Sequence, residues 1–440
     1  MTVPHPPAGE PAASLHSEPP PRPGINVDSH LKRIARGLGR RLVNFGAVAP
    51  EGFDLGAVSS ADIALYFSDY PAKLYQLRQW LPVLENHPDR QSMVVLRQVE
   101  TYKELVGKTS LPLVLAPTFE DLMALYDRAG FHAVVYVNNG WTNFQSLAFQ
   151  QAVHVHVNHG ESDKICMVSN QAKAYDRVFV AGEAAVQRHR AAIAWFDLDR
   201  LVRVGRPQLD LDVPCPLPES NRRTITYAPT WEGEDEANNY TSIDRYGVAI
   251  IEAALRQEGV RVVYKPHPRV ASSEQMVVRD AHAHVIKAIE QAAQADPAAG
   301  HCALLKADIL GLIRGTDLMI SDVSSVTLDH LYLRPEAPIL LTDRRSDRAQ
   351  LLQDAPIAEV VSVIDSSTIN ALRELITSAL ELDPRQAERA RMRAHYFGDL
   401  APGQSTQRFW QAIDAAISEH DQAMQALSRV RVGTSPKEVS

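Results

Sequence analysis

From about residue 55 onward the chain alternates short β-rich runs with stretches of helical periodicity, and no other feature narrows its fold as far. The runs at 93–96, 113–116, 133–137, 153–157, 178–181 and 201–204 are short and rich in Val, Leu and Ala. Helical stretches lie between them, such as 119–129, closed by Gly130, and 183–196. Strand and helix in alternation imply βαβ units and a parallel sheet. Gly205-Arg206-Pro207, followed by Pro214, Pro216 and Pro218, interrupts the rhythm, because proline removes ladder donors. The alternation then restarts with strands at 224–227, 260–265, 318–320 and 338–341, and helices at 243–258, 304–314 and from Ser325 to Arg334. Helices at 368–380, 385–394 and 405–427 finish the chain. The expected architecture is α/β: halves at 55–205 and 206–400 joined by a proline-rich hinge, then a helix at 401–428. Polar tails are expected at 1–28 and 429–440, which lack the apolar content to order themselves.

A length of 440 residues exceeds one ordinary core, and 45% hydrophobic with 22% charged residues is the balance of a globular protein. The net charge of -8 excludes a general nucleic-acid binder, so any anion site is local. Cys166, Cys215 and Cys302 stand far apart without metal spacing and read as buried thiols in a reducing compartment, with no structural metal. The N-terminal segment has no apolar core of a secretory signal, and no run reaches the ~20 apolar residues of a membrane span. The expected location is therefore cytoplasmic, free or on a membrane surface. Within 29–54, Leu31, Ile34, Leu38 and Leu42 share a helical face ringed by Lys32, Arg33, Arg36, Arg40 and Arg41. Such a helix can lie on anionic lipid or simply flank a domain, and Gly37 and Gly39 weaken it.

Neither a GxGxxG nor a Walker loop is present, so phosphate binding has to come from elsewhere. At Ile320-Ser321-Asp322-Val323-Ser324-Ser325 a strand ends and a serine-rich turn opens a helix. Free N–H groups and the helix dipole favour an anion there, although Asp322 or Ser324 acting as a plain N-cap explains the pattern as well. In Lys265-Pro266-His267-Pro268-Arg269, just past a strand, three basic side chains sit on a loop stiffened by prolines. That suits a diphosphate whose charge grows as a bond breaks. Thr230, in Tyr227-Ala228-Pro229-Thr230-Trp231, is placed to bond phosphate or to cap a helix. His154 and His156 share one strand face without a third metal ligand and read as structural. His159, before Gly160 at the strand end, is a candidate general base or an ordinary loop histidine.

Taken in order, the segments HGESDK (159–164), VGRPQLD (204–210), ITYAPTW (225–231), KPHPR (265–269) and SDVSSVTLDHLYLRPEAPIL (321–340) resemble the CDP-glycerol glycerophosphotransferase family of teichoic acid and capsule polymer synthesis. Where that family shows Trp-His-Gly-Thr-Pro, this chain has Asn158, Glu161 and Ser162 in place of Trp, Thr and Pro. The resemblance implies a GT-B fold, two Rossmann-like domains facing a cleft with the final helices crossing back. It implies transfer of an alditol phosphate from CDP-glycerol or a similar CDP-alditol to a hydroxyl of a polymer or lipid-linked acceptor, with CMP released and no cofactor. In that scheme His159 is the base and His267 stabilises the leaving diphosphate. Thr230, Lys265, Arg269, Asp322, Ser324 and Ser325 hold the donor, with Asp329 on its ribose, while Lys164 and Arg206 face the acceptor. It also raises the 31–43 helix as a peripheral membrane contact. A GT-B glycosyltransferase using a nucleotide sugar, or an inactive scaffold of that fold, shares most of these features.

Overall fold

The computed structural model describes residues 61–433 except 86 and 402. The tail at 1–28, the basic segment at 29–54 with its helix, and residues 434–440 lie outside the described residues. The described residues form one compact unit containing two parallel sheets.

The first sheet comprises β1 (Ile63–Phe67), β2 (Ser92–Leu96), β3 (Leu113–Leu115), β4 (Ala133–Tyr136), β5 (Val153–His156), β6 (Arg177–Val180) and β7 (Leu201–Arg203), in the order β3-β2-β1-β4-β5-β6-β7. The second comprises β8 (Arg223–Ala228), β9 (Val260–Tyr264), β10 (Cys302–Ala303), β11 (Leu318–Asp322), β12 (Ile339–Thr342) and β13 (Ser362–Ile364), in the order β10-β9-β8-β11-β12-β13. Both orders reverse direction once, beside β1 and beside β8, and open sheets of this kind bind ligands beyond the strand ends at that point. Helices cover both faces, which is why most strands read as continuous apolar runs.

The last helix, Gln404–Gly433, returns to the first sheet. It inserts Phe409, Trp410, Ile413, Ala416 and Ile417 into the core beneath Val155 and Phe179. Asp210 of the linker anchors its start, accepting from the Gly403 N–H at 2.9 Å and the Thr406 N–H at 2.7 Å.

Strand ends differ from the sequence expectation by one or two residues, and the 304–314 helix begins only at Ile309, where Asp308 accepts from the Leu310 N–H. The 243–258 helix opens with a π-turn, Ile243–Gly247, before Val248–Leu255. Strands β1, β10 and β13 and the 20-residue helix Met276–Ala295 were not anticipated, and the last helix runs past 427. None of the three cysteines is buried: Cys302, in β10, is half-buried, while Cys166, in the turn after the His159 loop, and Cys215, in the proline-rich linker, are exposed. Both lie on irregular surface segments rather than in the core elements their apolar character suggested. Among the described residues, no helix is long and apolar enough to cross a membrane.

Candidate active site

One wall of the cleft is built at the carboxyl ends of β8, β9 and β11. Ser324 occupies the N-cap of the helix Ser325–Leu333 in extended conformation (φ -161°, ψ 171°), yet its side chain makes no capping bond. It is 7% exposed, and its Oγ has no protein partner. The serine at a helix start is therefore uncommitted, beside N–H groups that the helix itself leaves free. Asp322 is fully committed: Oδ2 accepts from the Thr230 N–H at 2.6 Å and Oδ1 from the Thr342 hydroxyl at 2.5 Å. Burial pushes its carboxyl up to about 6, against these hydrogen bonds and nearby Lys164. Asp322 thus ties β11, β12 and the Thr230 loop together.

The Lys265–Arg269 loop is held extended, as its prolines require: the Lys265 N–H donates to Tyr227 O and the His267 N–H to Pro229 O, both at 2.9 Å. The Arg269 N–H donates to His267 Nδ1 at 3.2 Å, so the neutral ring carries its proton on Nε2. Burial, then the neighbouring charges of Lys164, Lys265 and Arg269, hold His267 well below its usual range. The Arg269 guanidinium lies over the Trp231 ring at 3.6 Å and pairs with Glu234 at 2.9 Å, so it is fixed at the rim.

The opposite wall is the loop after β5. Asn158 has φ 56°, a left-handed conformation that asparagine tolerates better than bulky residues. Its carbonyl accepts from Trp80 Nε1 at 2.7 Å and its Oδ1 from the His159 N–H at 2.8 Å. The left-handed backbone and these two hydrogen bonds account for asparagine at this position. Burial first, then the charges of Arg206, Lys164 and Lys73, push His159 down to about 4, so its ring is neutral near pH 7. Tyr75 stands edge-on to both imidazoles, 5.9 Å from His159 and 5.3 Å from His267 between ring centroids.

Three contacts join the walls. Lys164 Nζ donates to Thr230 Oγ1 at 2.8 Å. A Cβ on Gly160 would stand 3.2 Å from the Ser325 Cβ, so the absent side chain permits this approach. Arg206 pairs with Asp329, the two side chains 4% and 1% exposed. Burial pushes Asp329 up to about 6 despite the guanidinium, and contact with a ribose requires that pair to open. The structure therefore gathers His159, Lys164, Thr230, Lys265, His267, Ser324 and Ser325 around one cleft. It sets Arg269 at the rim, and places Asp322, Arg206 and Asp329 in buried polar contacts. His154 is held by Phe149 O and the Tyr136 hydroxyl, and His156 stacks on Tyr175. Tyr75 and Trp80 carry no motif, and only the fold brings them to the cleft.

The sequence matches the model of the CDP-glycerol:poly(glycerophosphate) glycerophosphotransferase family over residues 95–414. No curated protein matches it. Among solved structures, a variant of the wall teichoic acid polymerase TagF is similar at TM-score 0.56 and 14% identity, covering 91% of this chain and 100% of that one. A glycosyltransferase from Rickettsia africae (TM-score 0.52, 12% identity, 81% and 99% covered) and the S. aureus MnaA–UDP complex (0.51, 13%, 81% and 97%) share the architecture. With the two parallel sheets and the returning helix already described, this chain has the GT-B fold and belongs to the CDP-glycerol:poly(glycerophosphate) glycerophosphotransferase family.

Proposed function

We propose that the protein transfers glycerol phosphate, or a related alditol phosphate, from a CDP-linked donor to a hydroxyl of a cell-envelope polymer or lipid-linked acceptor. The observation that carries this reading is Ser324: a buried helix-start serine whose hydroxyl neither caps its helix nor meets another protein group, next to Ser325, which Gly160 of the His159 loop approaches. The donor's phosphates lie across the Ser324–Ser325 helix start and Thr230, with Lys265 and Lys164 balancing their charge. His159 takes the proton of the acceptor hydroxyl as its oxygen bonds to the alditol-bearing phosphorus. The bond from that phosphorus to the bridging oxygen breaks, and the electron pair leaves with CMP. His267, donating from Nε2, and Lys265 steady the growing charge without passing a proton to solvent.

A thermal-shift series with CDP-glycerol, CDP-ribitol, UDP-sugars and GDP-sugars tests the donor class, because a ligand that binds only the folded state raises its midpoint. The expected result is stabilisation by CDP donors and CMP release from CDP-glycerol when acceptor is added. Stabilisation by a UDP- or GDP-sugar alone would select the glycosyltransferase reading, and the absence of any shift would select the inactive scaffold.

A further inference from the structure

The short helical stretch after β1, Pro71–Lys73 and then Leu74–Arg78, precedes the residues that match the family model, which begin at 95. It nevertheless reaches the cleft. Leu74 and Leu77 are buried in the core of the first sheet and hold the stretch from one side. Gln76 Oε1 accepts from Asn138 Nδ2 at 2.8 Å, which ties it to the segment just past β4. Trp80, just beyond, donates to the Asn158 carbonyl, and Gln79 Oε1 accepts from Arg206 Nη2 at 3.3 Å. Core packing and these polar contacts pin the stretch, and with it the backbone of Tyr75.

From that footing the Tyr75 side chain meets an imidazole from each half of the molecule. Its ring centroid lies 5.9 Å from that of His159, on the loop after β5, and 5.3 Å from that of His267, on the loop after β9. The interplanar angles are 87° and 88°, the arrangement in which the positive edge of one ring meets the negative face of another. Such contacts fix both where a ring stands and how it is turned. The Tyr75 hydroxyl accepts from the amide of its own neighbour Gln76 at 3.3 Å, a long bond, so the ring is the part engaged with the histidines. In the transfer one histidine takes a proton while the other faces the departing charge, so their separation and tilt govern the rate. A misplacement of about 1 Å costs on the order of a hundredfold.

We propose that Tyr75 is a positioning residue whose aromatic ring spaces and orients His159 and His267 relative to each other. The proposal rests on the transferase reading above and adds to it a residue that lies before the family-matched stretch. The same ring keeps water from both imidazoles. Lys73, Lys164 and Arg206 stand near His159, and Lys164, Lys265 and Arg269 near His267, with Asp329 paired to Arg206 and Glu234 to Arg269. Removing the ring leaves all of these charges in place, so its effect on the protonation of His159 comes through solvation.

The test compares full-length Tyr75→Leu, which removes the ring, with Tyr75→Phe, which keeps it, using CDP-glycerol and a synthetic lipid acceptor ending in glycerol phosphate. Tyr75→Leu is expected to lower kcat roughly tenfold to a hundredfold, while the KM for CDP-glycerol and the CDP affinity by calorimetry stay at wild-type values. The acid limb of its kcat/KM is expected to move up from about 4 toward the ordinary 6.5 as water reaches the His159 ring. Tyr75→Phe is expected to keep the wild-type kcat and the wild-type limb. Unchanged kcat and limb in a folded Tyr75→Leu protein overturn the proposal. A loss of roughly tenfold or more in Tyr75→Phe overturns it as well, by moving the role from ring to hydroxyl, and that result decides the matter even where Tyr75→Leu does not fold. Failure of the transferase reading has a different signature: the wild type itself neither binds CDP nor turns over.

Discussion

An N-cap serine ordinarily commits its hydroxyl to a backbone N–H two or three residues on, as Thr118 does with Asp121. Ser324 does not, so the two positions predict opposite outcomes. Ser324→Ala is expected to weaken CDP binding roughly tenfold, the scale of one lost hydrogen bond to a charged group, with the thermal midpoint unchanged. Thr118→Ala is expected to cost about 1 kcal/mol of stability with CDP binding unchanged. Calorimetry and denaturant melts on both variants check the contrast. His159→Asn is expected to reduce transfer roughly 100- to 10,000-fold while sparing CDP affinity. Because burial and cations hold His159 down to about 4, the acid limb of kcat/KM falls there rather than near 6.5. Activity persists above that pH and is lost as pH falls through it and the ring gains a proton; a limb near 6.5 would remove His159 from the role of base.

Between elements, close approaches replace side-chain packing at a few points. The helix Glu183–Ala192 starts so near the end of Gln386–Phe397 that a Cβ on Gly182 would lie 2.3 Å from Tyr396 O. Backbone cannot step aside as a flexible side chain does, so Gly182→Ala is expected to cost about 1–3 kcal/mol, read as a lower urea midpoint. The same scale explains what the sequence disclosed. A strand, a serine turn and a helix at 318–333 are contiguous, as are strand and proline loop at 260–269, so local pattern sufficed for both. The helix Met276–Ala295 buries Val278, His282, Val285 and Ile289 at helical spacing, but a histidine on that stripe and an alanine-rich remainder blur the signal. The strand β1, Ile-Ala-Leu-Tyr-Phe, is apolar at every position, and a run of that length has no periodicity to classify. The site was legible where its residues sit on loops directly after strands. It was not legible at Tyr75 and Trp80; Trp80 reaches Asn158 from 78 positions away, a distance only tertiary packing can close.

At the scale of the molecule, burial shifts two sets of groups in opposite directions. His156 and His330 are pushed down to about 3 and His159 to about 4, while Asp322 and Asp329 are pushed up to about 6 and Asp163 to about 7. Between about pH 4 and 6.5 the unfolded chain holds more protons on those histidines, so their contribution to stability grows with pH. From about pH 4 to 6 or 7 the folded chain holds more protons on those aspartates, so their contribution shrinks with pH. The opposing slopes flatten the profile, and removing one member should tilt it. His330 is fully buried, and that burial is the first cause of its lowered pKa. His330→Leu is expected to shrink the stability difference between pH 7.5 and pH 5 by about 2 kcal/mol, from the proton the unfolded ring takes up at pH 5. Equal differences in variant and wild type, from urea melts at the two pH values, would refute this.

The returning helix also dictates an order of events. Phe409, Trp410 and Ile417 complete the core under a sheet whose strands end by residue 203, so the ribosome finishes that sheet roughly two hundred residues before its missing wall emerges. During that interval the second half can close on itself while the first waits with an open apolar face. A chain that stalls late in translation is therefore left with its His159 loop on an incomplete foundation, and is marked for chaperones by the surface it still exposes.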